Sequence, residues 1–259
     1  MLDFGFYNMD CMEGMKQFPD KYFDLAIVDP PYGAGFTENG GCSGWFEKYK
    51  QKPNGGGVLE PILAEVRSLQ KARHVTNGLR KGQQPPKWWG ANGENKKIIT
   101  WDVAPGQEYF EELFRVSRNQ IIWGGGNYFE LPATRCFLIW RKTNVSENFS
   151  MAMCEYAWTS FTGNAKVFDF SAVGQPGRFH PTQKPPELYK WILCNYAKPG
   201  DIILDTHVGS ASSLVACRET GHKYVGFEID REYYNMASER LQAAEQQVNI
   251  FDFMGDNKT

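Results

Sequence analysis

The chain has 259 residues, 42% hydrophobic and 22% charged, the balance of an ordinary globular protein of one large or two small domains. No apolar run approaches the ~20 residues of a membrane span. The six cysteines (Cys11, Cys42, Cys136, Cys154, Cys194, Cys217) lack any C-x-x-C spacing, which disfavours a zinc ribbon or a disulfide scaffold and fits a reduced cytoplasm. The net charge of −2 excludes less than it suggests, because it is unevenly spread. Residues 1–33 carry 2 basic and 6 acidic side chains, residues 34–97 carry 11 and 5, and residues 98–259 carry 15 and 19.

In chain order, Met1 to Asp10 has neither a basic start nor a small-residue cleavage site, so no secretory signal is expected. Phe23 to Val28 (FDLAIV) is apolar almost throughout and stops at Asp29, the pattern of a strand buried on both faces. Ile62, Leu63, Val66 and Leu69 share a helical face that follows Pro61. Around that helix, residues 33–58 and 78–97 are rich in Gly and Pro and read as long surface loops. Phe110, Leu113 and Phe114 mark a second helix, and Leu188, Trp191, Ile192 and Leu193 a third. Further strands are expected at Gln120–Trp123, Cys136–Trp140, Tyr156–Phe161, Asp201–Asp205 and Lys223–Ile229, with helices at 211–220 and 231–247. Alternation of buried strands with amphipathic helices predicts an α/β fold with a mostly parallel central sheet and helices on both faces. The economical description is one domain over 1–259 with a basic insertion at 34–97.

Chemistry concentrates first at Asp29-Pro30-Pro31-Tyr32, directly after a buried strand. Ligands of open α/β sheets bind beyond the carboxyl ends of the strands, so the tetrapeptide stands where a site is expected. Two prolines fix φ and donate no N–H, which aims the backbone carbonyls rigidly. A carboxylate, a rigid carbonyl and an aromatic ring suit a planar amine, with two N–H groups to bind and a ring to stack on. A second concentration lies at Asp205 to Ser212. Asp205 at a strand end could meet a cationic group, Gly209 permits close backbone approach, and the following helix N-terminus favours an anion. Glu228, ending the next strand, is placed to accept from sugar hydroxyls, as the acidic residue of dinucleotide folds does.

The chain resembles the S-adenosylmethionine-dependent DNA amino methyltransferases that form N6-methyladenine or N4-methylcytosine. Four separated motifs in one order carry the resemblance: Asp10-Cys11-Met12-Glu13 with the DPPY, Trp123 to Phe129, His180-Pro181-Thr182-Gln183-Lys184-Pro185, and the 205–212 loop followed by Gly226-Phe227-Glu228-Ile229-Asp230. It covers nearly everything except 34–97 and is similar to phage and prophage members of the beta class. The resemblance implies a Rossmann-like methyltransferase fold in circularly permuted motif order, with S-adenosylmethionine as cofactor. It assigns Asp29, Pro30, Pro31 and Tyr32 to catalysis. It assigns Asp10, Cys11, Thr182, Lys184, Asp205, His207, Gly209, Ser210 and Glu228 to the cofactor pocket, Asp10 as a contact of the adenine amino group. The usual cofactor loop is D-P-F-x-G-x-G-T, and here it reads Asp205-Thr206-His207-Val208-Gly209-Ser210-Ala211-Ser212. Ala211 adds a Cβ that disfavours positive φ, and His207 is expected to pack as a ring of similar size to the usual aromatic.

The implied partner is double-stranded DNA, in the cytoplasm of a bacterium or a phage-infected host. The exocyclic N6 amine of a flipped adenine is the expected target, because Asp at the first motif position is more usual for adenine enzymes than for cytosine ones. Lys48, Lys50 and Lys52 around Tyr49, and Arg80, Lys81 and Lys87 before Trp88-Trp89, are candidate phosphate contacts beside stacking aromatics. Residues 141–180 are the rival location for sequence recognition. The histidines His74, His180 and His222 do not form a metal-ligand spacing, so no metal is expected. A homodimer stays open, and a restriction endonuclease partner is not readable. The rival functions are N4-cytosine methylation and a catalytically silent nucleic-acid-binding relative. An NAD-dependent dehydrogenase is weaker, since no G-x-G-x-x-G follows a first strand.

Overall fold

The computed structural model describes residues 1–32, 103–128, 131–146, 152–172, 178–180 and 182–255, with side chains as far as 246. The expected helix around Ile62 and the basic residues Lys48, Lys50, Lys52, Arg80, Lys81 and Lys87 lie outside the described residues. The compact unit to which Met1–Tyr32 and Ala104–Thr259 belong is built on eight strands among the described residues. These are β1 (Gly5–Tyr7), β2 (Phe23–Val28), β3 (Ser117–Trp123), β4 (Leu138–Lys142), β5 (Cys154–Thr159), β6 (Lys166–Phe170), β7 (Ile202–Asp205) and β8 (Lys223–Phe227). The spatial order is β1-β8-β7-β2-β3-β5-β4-β6. All neighbours pair in parallel except β5, which runs antiparallel to both β3 and β4.

Helices cover both faces, α1 (Cys11–Met15), α2 (Gln107–Val116), α3 (Pro186–Tyr196), α4 (Ser212–Glu219) and α5 (Arg231–Gly255). The two-residue period of β2 and β3 decides which residue meets which helix. Leu25, Ile27, Ile121 and Trp123 pack with Leu188 and Ile192 of α3, Leu214 of α4, and Ala237 and Leu241 of α5. Ala26, Val28 and Ile122 face the other way, against Met15 of α1 and Phe110, Leu113 and Val116 of α2. The expectation of continuous apolar runs is met because both faces are dry: of β2 only Asp24 escapes full burial.

The elements differ from expectation at their edges. β1 and β6 were not anticipated: β1 is three residues long, and β6 (KVFDF) is an edge strand with exposed Val167. The strand expected at 136–140 starts at Leu138 instead, because the Cys136 carbonyl accepts the Thr159 hydroxyl (2.7 Å) outside the ladder. The strand expected at 156–161 is two residues earlier, at Cys154–Thr159. The last helix, capped by Asp230 Oδ1 through the N–H groups of Glu232 (2.8 Å) and Tyr233 (3.2 Å), runs on to Gly255. Among the described residues no helix is long and apolar enough to cross a membrane.

From β7 the chain crosses through α4 to β8 on one side, and from β2 it passes through α2 to β3 on the other. β7 and β2 are themselves neighbours, with Leu25 beside Ile203 and Ala26 beside Leu204. The strand order therefore reverses between them, and α4 and α2 depart to opposite faces. Such a switch point leaves a crevice beyond the strand ends, and Asp29 and Asp205 stand at its two lips.

Candidate active site

Asp29 leaves the end of β2 half-buried, and both its oxygens are engaged. Tyr32 donates its hydroxyl to Oδ1 (2.9 Å), and the Lys184 ammonium pairs with Oδ2. Lys184 also lies 3.1 Å from Glu155 Oε2, while Glu155 Oε1 takes Lys142 at 2.6 Å. The result is an alternating chain, Asp29–Lys184–Glu155–Lys142, with equal numbers of positive and negative groups. Both lysines are buried, at 2% and 6% side-chain exposure, and Lys184 further faces the Trp123 ring at 5.2 Å. Burial by itself would lower the Lys184 pKa, but Asp29 and Glu155 reverse that and raise it above its ordinary value. Burial likewise pushes the Asp29 carboxyl up, partly offset by Lys184. Glu155 goes the other way: the two lysines overcome its burial and hold it down at about 2.

The aromatic part of the tetrapeptide is fixed from behind. Gly124 has φ +68°, and a Cβ there would come within 2.3 Å of the Tyr32 ring, so both the backbone twist and the close approach require glycine. Tyr128 donates its hydroxyl to the Pro30 carbonyl at 2.8 Å and approaches the Pro31 carbonyl at 3.3 Å. The Pro30 oxygen keeps a second lone pair for another donor. Run 123–128 thus serves as the bed on which residues 29–32 lie, which gives the Trp-Gly-Gly-Gly-Asn-Tyr segment a physical purpose.

The proposed cofactor residues form a row along the carboxyl ends of β7, β8 and β1. Asp205 Oδ1 accepts from the His207 N–H (3.0 Å), and Oδ2 accepts from the Ser213 hydroxyl at the start of α4. Burial pushes its carboxyl up to about 7, against those two hydrogen bonds, and Asp29 and Glu228 add to the rise. Glu228 accepts from the N–H of Gly209 through Oε2 (2.8 Å) and of Asp230 through Oε1 (2.8 Å). Its own N–H donates to Tyr7 (3.0 Å), which ties the end of β8 to the end of β1. Asp10 follows β1 and caps α1, with Oδ1 accepting from Met12 (2.8 Å) and Glu13 (3.2 Å). Cys11 beside it is a neutral thiol, its pKa pushed up to about 12 by burial and by Asp10. Ser210 is buried, its hydroxyl 3.0 Å from that of Ser212, and Arg240 reaches both residues at 2.8 and 2.9 Å.

Thr182 is exposed, with its hydroxyl 3.2 Å from His180 Nδ1, and Lys184 has turned into the Asp29 cluster. His207 packs edge-on to the Tyr109 ring at 5.4 Å, with Nδ1 2.9 Å from the Thr206 hydroxyl. Thr206 in turn meets the Tyr109 hydroxyl at 2.6 Å. Burial lowers the His207 pKa to about 4, so it is a neutral ring near pH 7, in keeping with the packing function expected of it. One expectation is overturned. Ala211 adopts φ +59° and ψ +22° at the N-cap of α4, the left-handed conformation that its Cβ was expected to forbid. The loop imposes that twist, and the alanine carries its cost of about 1–2 kcal/mol.

The residues that sequence reasoning missed are Glu155, Lys142, Tyr128, Thr206 and Arg240. Each acts through a partner distant in sequence. The one available signal was a charge inside an apolar strand, as in CEYAWT of β5 and LIWRK of β4.

The residue set fits S-adenosylmethionine. A buried carboxylate faces the crevice from β7, a second ends β8 with lone pairs to spare beyond its two backbone hydrogen bonds, and a left-handed glycine lies between them. Fold and site together define an α/β transferase of the methyltransferase type, with the Asp29-Pro30-Pro31-Tyr32 tetrapeptide at its switch point. The DNA methylase family, that of the N6 and N4 amino methyltransferases, matches residues 23–239, and the chain belongs to it. The family is S-adenosylmethionine-dependent, as the resemblance implied. The DNA adenine methyltransferase YhdJ of Escherichia coli is 43% identical over 257 residues, 91% of this chain and 81% of its own. The type II methyltransferase M2.DpnII of Streptococcus pneumoniae is 39% identical over 264 residues, 91% of this chain and 88% of its own. The fold is that of M1.HpyAVI, solved as a complex with S-adenosylmethionine, at a TM-score of 0.50 and 18% identity over 91% of this chain and 98% of that one.

Substitution of Ala211 by Gly relieves the left-handed strain at the cost of one buried methyl and a more flexible unfolded chain. Stability is expected to hold or to rise by up to about 1 kcal/mol in urea unfolding. A loss of more than about 1 kcal/mol, the ordinary penalty of Ala→Gly in a helix, would contradict the assigned twist.

Proposed function

We propose that the protein methylates the exocyclic N6 amine of an adenine flipped out of duplex DNA, in the cytoplasm. The observation that carries the proposal is Asp29 at the switch point, its carboxylate held by Lys184 and Tyr32, beside the Asp205 end of the cofactor row. An adenine amine is a poor nucleophile because its lone pair is delocalised into the ring. Asp29 and the Pro30 carbonyl, accepting its two N–H groups, favour a pyramidal nitrogen and stabilise the positive charge that grows on it. Tyr32 stacks on the extruded base, and Gly124 fixes where that ring stands. S-adenosylmethionine supplies an electrophilic methyl group on a sulfonium. The contribution of the chain is alignment: adjacent strand ends set acceptor and donor against each other across the crevice.

Adenine rather than cytosine is supported by Asp at the first position of the tetrapeptide and by the similarity to YhdJ, an adenine methyltransferase. Within the cofactor row, Asp205 meets the ammonium and Glu228 the ribose hydroxyls, with Asp10 and Cys11 toward the adenine and Gly209 and Ser210 shaping the loop. The block at 34–97, with its excess of 6 basic residues, is proposed to contact DNA phosphates.

Tritiated methyl transfer to unmethylated genomic DNA, followed by nucleoside analysis, tests the assignment. Label is expected in N6-methyldeoxyadenosine; label in N4-methyldeoxycytidine would move the target to the other base of the family. A second expectation concerns pH. An ammonium bound at Asp205 requires the ionised carboxylate, whose pKa burial has raised to about 7. The proton must leave before or upon binding, so cofactor affinity should fall as pH drops below about 7, with uptake of the cofactor releasing a proton. Calorimetry between pH 5.5 and 7.5 should show that slope in the wild type and lose it in Asp205→Asn. A slope unchanged by the substitution would place the ammonium elsewhere.

A further inference from the structure

Lys184 presents a difficulty for the proposed chemistry. Its ammonium occupies Oδ2 of Asp29, the group that must receive the amine, and Tyr32 occupies Oδ1. The target amine arrives neutral. As its N–C bond forms and the methyl–sulfur bond breaks, the nitrogen acquires a positive charge, which it sheds when its proton passes to water. During that interval two cations would compete for one buried carboxylate. The Lys184 side chain is 2% exposed, so the ammonium cannot retreat into solvent. A second carboxylate is already within reach, since Glu155 Oε2 lies 3.1 Å from Nζ.

We infer that Glu155 is a positioning residue of the transfer reaction, the alternative seat to which Lys184 shifts when the substrate nitrogen takes Asp29. Three features suit it to that task. It projects from β5, an element separate from both β2 and the segment before α3, so its position does not depend on the group that moves. Its other oxygen is anchored by Lys142 on β4 at 2.6 Å, which fixes the carboxylate and balances its charge. Lys142 and Lys184 together keep it ionised, so the seat is negative whenever it is needed. The Trp123 ring, 5.2 Å from Nζ, offers a favourable face along which the ammonium can shift. The inference rests on the proposed DNA methylation.

The test uses full-length protein, S-adenosylmethionine and unmethylated genomic DNA, with steady-state transfer rates. Glu155→Gln alone strands Lys142 as a buried cation and could fail to fold. The decisive variant is therefore Lys142→Met with Glu155→Gln, which removes one charge of each sign. It is expected to unfold near the wild-type temperature and to keep its KM for the cofactor within about threefold. Its kcat is expected to fall by about 100-fold, as small misplacements at reacting centres do. A double variant with wild-type kcat, or one that loses cofactor binding and turnover together, overturns the positioning role. Absence of transfer by the wild type would overturn the underlying function as well, so the two failures are distinguishable.

Discussion

Lys184 keeps its charge with 2% of its side chain exposed, and burial of that degree is tolerable only because two carboxylates face it. Asp29 comes from the end of β2, Glu155 from β5, and Lys184 from the segment leading into α3, so the cluster joins three parts of the chain far apart in sequence. Its function is not primarily stability, since buried ion pairs often contribute no more than an apolar filling would. Its consequence is orientation. The Asp29 carboxyl is held in one place, half-buried, next to an opposite charge.

The sheet order explains why this carboxylate matters. Reversal of strand order between β7 and β2 opens one crevice, and it brings the 205–212 loop and the DPPY tetrapeptide to adjacent strand ends. Each lip is stiffened differently. On the β2 side, prolines and the Gly124 to Tyr128 bed remove backbone freedom. On the β7 side, Asp205, Ser213, Arg240 and Glu228 tie the loop to α4, α5 and β8. Preorganisation of this kind does the work in a transfer between two bound partners, because little of the alignment is left to be made at the moment of reaction.

The central strands and the residues gathered at their ends were legible because their signals are local. FDLAIV ending at Asp29 announces a doubly buried strand, and the structure follows that pattern closely. β1 and β6 were illegible for equally local reasons, one too short and the other too polar to show a pattern. The Ala211 twist could not be read, since an alanine signals nothing about a left-handed backbone that its surroundings impose. Glu155 and Lys142 looked like ordinary strand polarity, and only the pairing of β4 with β5 brings them together beside Lys184. Sequence reasoning assigned Lys184 to the cofactor pocket, whereas its hydrogen bond in the structure is to Asp29.

In the proposed reaction Asp29 accepts the target amine and is not required for cofactor binding. Asp29→Ala removes one partner of Lys184 and leaves it Glu155, which it then shares with Lys142, so the cluster retains one counter-charge. The most direct measurement is single-turnover methyl transfer to DNA by this variant, alongside calorimetric binding of S-adenosylmethionine. Transfer is expected to disappear while cofactor affinity stays within about threefold of wild type. Wild-type turnover by Asp29→Ala would contradict the account.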